Sequence, residues 1–199
     1  DVSDYVNFEG DNVIVIRVDA TQYEGWFYEG AGIYRHVWLN VTDKVFIPND
    51  GVFVHSKVNG KNATVTVETE VENKNLLPSN AVVYSIITDR NGKQIAKTSE
   101  QKVTLSVNGK TTIKQNLNLN NVTFWSLENP YLYKVISVVK SGNQMVHQKK
   151  TRFGIKTVKF DSKEGFFLNG KKIKIQGTNN HQDHPELEVR YLILCNIIV

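Results

Sequence analysis

The chain has 199 residues and a single cysteine, Cys195, so no disulfide can form within it and no redox compartment can be read from it. Helical periodicity is nearly absent; apolar residues recur at every second position instead. No apolar run approaches the ~20 residues that a membrane-spanning helix needs, so no membrane partner is expected. There is no leader-peptide pattern and no starting Met. The chain opens on Asp1 in mid-pattern, as a piece cut from something longer would. Charge of one sign is also lacking: 24 Lys and Arg stand against 20 Asp and Glu, a net +4. The basic residues are dispersed, apart from Lys149-Lys150-Arg152 and Lys171-Lys172-Lys174. A nucleic-acid surface needs a denser stripe, so these clusters read as solvated strand faces and no nucleic-acid partner is expected.

What is present is a chain able to bury a core, 40% hydrophobic and 22% charged, patterned for β-structure. Val13 to Val18 is apolar almost throughout and reads as a strand covered on both faces. Tyr23 to Gly32 is a loop rich in glycine and aromatics, and Ile33 to Val41 is a second strand. Pro48-Asn49-Asp50-Gly51 breaks the pattern and marks a domain boundary. Strands then follow at Val52–Lys57, Ala63–Val71 and Ala81–Thr88, with one longer or two shorter strands in Gln94–Val107, then Thr111–Leu119, Tyr131–Lys140 and Gln144–Phe153. In Ala63–Val71, Val65, Val67, Thr69 and Val71 point one way and Thr66, Glu68 and Glu70 the other, giving one buried and one wet face. Asn91-Gly92 favours a tight primed turn between strands. Some seven short antiparallel strands separated by turns imply an all-β chain built on an immunoglobulin-like antiparallel sandwich. That fold alone implies no activity. Asn-x-Thr sequons at Asn40, Asn62 and Asn121 carry little weight in so Asn-rich a chain.

After the sandwich comes a tight hairpin through Asn169-Gly170, and then the one chemistry-like cluster, Gly177-x-Asn179-x-His181. His181, Asp183 and His184 have a spacing that permits metal binding, but no supporting ligands occur elsewhere. No metal or cofactor is therefore expected. Taken alone, the cluster reads as exposed polar residues of a loop.

Four runs carry a resemblance. Trp125-Ser126-Leu127-Glu128-Asn129-Pro130-Tyr131-Leu132-Tyr133 resembles the last loop and strand of the central sandwich of glycoside hydrolase family two, which holds β-galactosidases, β-glucuronidases and β-mannosidases. Arg152-Phe153-Gly154-Ile155 is similar to the junction that leaves that sandwich. Gly165 to Lys171 and Ile175 to His181 resemble the hairpin and first strand that open the family's catalytic barrel. Gly25 to Tyr28 and Gly30 to Leu39 are similar to the closing strands of its sugar-binding jelly roll. The four occur in the family's order, over about Asp1 to His184.

The resemblance implies a layout. Residues 1–48 would be the C-terminal part of a jelly roll and 49–155 a complete sandwich. Residues 156–184 would be the first hairpin and strand of a (β/α)8 barrel. It implies a parent that is a retaining exo-β-glycosidase of the β-galactosidase type, working with two carboxylates on later barrel strands. No pair in this chain matches those motifs, so the piece is expected to be silent. His181 would line the sugar subsite of the intact parent and Asn179 would shape its loop, with a carbohydrate substrate as partner. A bacterial parent working in the periplasm or outside the cell fits this reading, though location stays open. The alternative is a freestanding carbohydrate-binding or adhesive sandwich, with Trp26 to Tyr28 stacking on sugars.

Residues 185–199 do not resemble the family, which commonly continues A-G-V-G-x-A-L-P-D-x-L-Q-Y-Y-R. Removing one G after the His184 codon from a DNA encoding such a segment yields P-E-L-E-V-R-Y-L-I-L-C-N-I-I-V, the whole of Pro185 to Val199. The tail is expected to be out of frame. Its apolar part, Tyr191–Val199, and unpaired strand edges near Val13 to Val18 are expected to favour self-association.

Overall fold

The computed structural model describes residues 2–19, 33 and 36–177. By its contacts the chain divides into two units, residues 1–39 with 177–199, and residues 40–176. The second unit holds every strand among the described residues.

One sheet is built on β3 (Asn62–Asn73), with β2 (Val52–Asn59) and the two-residue β1 (Val45–Phe46) pairing along one side and β7 (Lys110–Leu119) along the other. The second sheet is built on β4 (Ser79–Thr88) and β8 (Tyr133–Ser141). β9 (Gln144–Phe153) flanks β8, while β5 (Gln94–Lys97) and β6 (Gln101–Leu105) share the far edge of β4. All pairings are antiparallel, and the two sheets face each other as an immunoglobulin-like sandwich. Three further strands, β10 (Val158–Asp161), β11 (Gly165–Leu168) and β12 (Lys171–Ile173), form a separate antiparallel meander.

The alternation that defines β3 in the sequence sets the inner face. Val65, Val67, Thr69 and Val71 are fully buried. Two apolar clusters fill the sandwich, one around Val65, Val67, Ile87, Leu117 and Val135, the other around Val71, Val83, Ile113 and Val139. A polar layer divides them. Thr69, Ser85, Gln115 and Ser137 each stand between a residue of one cluster and a residue of the other on their own strands, and all four are buried. Two side-chain pairs bond across the sheets here: Thr69 with Ser137 at 3.1 Å, and Ser85 to the Gln115 Oε1 at 3.0 Å. The Gln115 amide also donates to the main-chain oxygens of Ser99 and Val83. Buried polar groups satisfied in this way cost little, and they penalise a slip of register that would leave them unpaired.

At the start of β8 the Tyr133 ring lies on Phe153 at 5.7 Å, and its hydroxyl accepts the Thr123 amide at 2.8 Å. This is the tyrosine corner of immunoglobulin-like sandwiches, tying the crossover from β7 to the strand it enters.

Of the two possibilities for Gln94–Val107, the two shorter strands form, β5 and β6. They are parted where Thr98 Oγ1 accepts the Ser85 amide, so a side chain stands in for a carbonyl of the ladder. The Asn91-Gly92 turn is not primed. Gly92 has φ +88 while Asn91 does not share the left-handed region, and the Gly92 amide donates to Asp89 O at 3.1 Å. The Asp89 carboxylate decides it by accepting the Asn91 and Lys93 amides, which favours a type I turn ending in a left-handed glycine. Val13–Val18 is not a doubly covered strand. It pairs with nothing among the described residues, and Ile14 and Val15 are 73% and 87% exposed. A strand needs a neighbour for its amides and carbonyls, and none of the described residues supplies one. The described residues of Ile33–Val41 are likewise unpaired and exposed. Finally, the sandwich starts ahead of the Pro48–Gly51 break, because Val45 and Ile47 are buried in its core.

Candidate functional site

Three of the runs singled out in the sequence, those around Trp125, Gly154 and Asn169, meet at one end of the sandwich. Trp125 donates its amide to Ile155 O at 2.9 Å, and its own carbonyl accepts the Asn169 side-chain amide at 2.9 Å. The Asn169 side-chain oxygen accepts the Thr157 amide, and the Asn169 amide returns a bond to Thr157 O. One asparagine therefore fastens the loop before β8, the segment leaving β9 and the β11–β12 hairpin. Asn169 and Gly170 have φ +51 and +77, the primed turn expected of this pair. Gly154 passes so close to Trp125 that an added Cβ would lie 2.9 Å from the tryptophan Cβ. Lys156 Nζ sits 4.7 Å from the centre of the indole ring.

The meander fastened there has one apolar face. Phe160, Phe166 and Ile173 are cross-strand partners in a single row, with Val158 and Leu168 beside them. Leu168 is buried, but Phe160 is 75% exposed. The chain leaves this meander through residues 174–177. Asn179 and His181, the residues expected to meet a sugar, lie outside the described residues. So do Cys195, the aromatic loop Trp26 to Tyr28 and the segment Tyr191–Val199.

Most carboxylates of the sandwich and meander are occupied. Glu68 pairs with Lys114 at 2.9 Å, Glu70 with Lys110 at 3.4 Å, Glu72 with Lys74 at 2.8 Å and Glu100 with Lys140 at 2.8 Å. Bonds to Lys114 and Lys140 hold the carboxyls of Glu68 and Glu100 below the ordinary range. Asp161 is lowered chiefly by the turn amides of Lys163 and Glu164, and Glu128 by its own amide and by Ser126. A general acid in glycoside cleavage needs the opposite shift. No group of three or more metal-ligating side chains occurs among the described residues.

On the outer face of the β2-β3-β7 sheet an open groove of ≈ 440 Å³ is lined by the Pro48–Gly51 turn, Phe53, Glu68, Glu70 and Thr112. Sequence reasoning missed a contact beside that turn, in which His147 and Lys149 of β9 bind the main chain of Ile47, Pro48 and Asn49. The partners are about a hundred positions apart, so no local pattern announces them.

Fold and junction together define an immunoglobulin-like sandwich domain with a hairpin fastened to one end. The family Glycosyl hydrolases family 2 matches residues 45–156, more than half of the chain. The chain belongs to this family. It is 32% identical over 186 residues to the β-galactosidase BoGH2A of Bacteroides ovatus, covering 92% of this chain and 22% of the relative. It is 27% identical over 199 residues to a β-glucuronidase of Formosa agariphila, covering 89% and 20%. Among solved structures, a glycosyl hydrolase family 2 member from Bacteroides cellulosilyticus superposes with a TM-score of 0.79 at 32% identity, over 85% of this chain and 23% of that one. The chain thus spans about a fifth of the length of these relatives.

Proposed function

We propose that the chain is a non-catalytic part of a retaining exo-β-glycosidase of the β-galactosidase type, which removes terminal β-linked sugars. In this reading the residues ahead of β1 close a sugar-binding jelly roll, the sandwich that spaces it runs from Val45 to Ile155, and 156–184 open a (β/α)8 barrel. Residues 185–199 are an out-of-frame tail. The catalytic carboxylates then belong to the part of the relatives that this chain does not span. In the intact parent, His181 contacts sugar hydroxyls and Asn179 shapes the loop beside it, at the C-terminal end of the first barrel strand, where barrel sites are built.

The observation that carries the reading is the fastened junction. Trp125, Gly154 and Asn169 hold an apolar meander against the end of the sandwich, and the row Phe160-Phe166-Ile173 is left for a following domain to cover. The test is an assay of the purified chain on aryl β-galactosides and β-glucuronides. No release above the blank is expected. Turnover that co-purifies with the chain would overturn the reading.

A second reading, a freestanding carbohydrate-binding sandwich, draws on the groove, where Phe53 is 60% exposed beside Glu68 and Glu70. A glycan-binding screen separates the two, because tight binding by this chain that Phe53→Ala abolishes favours the second.

A further inference from the structure

The lead-in to the sandwich is held by its short strand, by the buried side chains of Val45 and Ile47, and by two side chains of β9. β1 makes two register pairs with β3, a short ladder for the segment to depend on. His147 supplies part of the remainder, accepting the Ile47 amide on Nδ1 at 3.1 Å. A main-chain N–H can only donate, so this nitrogen carries no proton and the imidazole is neutral. The Phe46 ring stands edge-on to the imidazole with centroids 6.4 Å apart. Two positions on, Lys149 Nζ donates to Pro48 O at 3.2 Å and to the main-chain and side-chain oxygens of Asn49.

The surroundings of His147 are one-sided. β1 faces it with the Phe46 ring and the Ile47 amide, and β8 places Val139 opposite it. Lys149, on its own strand, is the charged group that acts on it, and no carboxylate is among the groups that shift it. A proton added to Nδ1 would point at the Ile47 N–H and sit beside the Lys149 cation. No acidic side chain among the described residues acts on the ring to compensate.

We propose that His147 is an acid-sensitive latch on residues 45–51. Neutral, it binds this segment to β9. Protonated, it releases the segment and loosens the covalent lead-in that joins the preceding residues to the sandwich. Burial first, and then Lys149, hold its pKa below the ordinary 6.5. The unfolded chain therefore takes up this proton before the folded one does as pH falls. The stability that the neutral ring contributes is complete above about pH 6.5 and is lost as pH falls through the folded pKa.

Amide hydrogen exchange on the full chain at neutral and acid pH, corrected for the intrinsic rate, tests this. Protection of Phe46 and Ile47 is expected to fall by on the order of tenfold per pH unit between about 6.5 and the folded pKa and to level off below it, while Val65 and Val135 keep theirs. His147→Gln, whose side-chain oxygen accepts from Ile47 at any pH, is expected to keep the segment protected in acid. Equal acid loss in the wild type and His147→Gln overturns the latch, as does no loss in the wild type. Should the variant not fold, the wild-type imidazole titration decides. A midpoint below 6.5 that moves together with the Ile47 amide resonance supports the latch, and an Ile47 amide that ignores the titration overturns it.

Discussion

Single residues carry the joints of this molecule. Tyr133 spends its hydroxyl on the Thr123 amide, so Tyr133→Phe should cost on the order of 1 kcal/mol, read as a lower urea midpoint at unchanged slope. Gly154 has no room for a methyl group against Trp125. Gly154→Ala should destabilise by about 1–3 kcal/mol and alter the fluorescence of the tryptophan it displaces. The Thr69–Ser137 pair is a sharper case, because both hydroxyls are buried and each satisfies the other. Ser137→Ala should cost about 1–3 kcal/mol by stranding the Thr69 hydroxyl, whereas adding Thr69→Val to it should recover most of that. A double-mutant cycle showing simple additivity would contradict this account of the polar layer.

At the scale of elements, strands were legible wherever one face is buried and the other wet. Alternation in β3 and β7 names their inner residues correctly, because a period of two reports directly on a one-sided sheet. The Asn169-Gly170 hairpin was legible for the same local reason, since two left-handed residues in a row favour this pair. Gly170→Ala should therefore loosen the meander by about 1–2 kcal/mol. Hydrogen exchange in β11 and β12 should rise while that in β3 stays unchanged. The Asn91-Gly92 turn misled because Asp89, two residues earlier, bonds the turn amides and selects another geometry. The apolar run Val13–Val18 misled differently. Hydrophobicity shows that a segment wants cover, but not that a partner strand is beside it.

For the whole molecule, the apolar surface left open has consequences. Val13 to Val18, Phe160 and Ile175 are exposed, so we expect the chain to self-associate, with a mass by light scattering that rises with concentration. Val15→Lys should reduce this without changing the midpoint of unfolding, because Val15 is exposed. A strict monomer at every concentration would contradict the expectation. The candidate sugar contacts Asn179 and His181 came from family likeness, because a subsite is formed by several strands and a single loop in the sequence cannot display it.

By itself the sequence determined the all-β class, the alternating faces, the two-residue hairpin and the membership of a glycosidase family, because each depends on residues close together in the chain or on a run of local motifs. Only the tertiary structure decided the rest: that Thr69, Ser85, Gln115 and Ser137 share one layer, that Asn169 ties Trp125 to the hairpin, and that His147 and Lys149 hold the lead-in. These contacts join positions tens of residues apart. Their pairing follows from strand order and register, which no local pattern encodes.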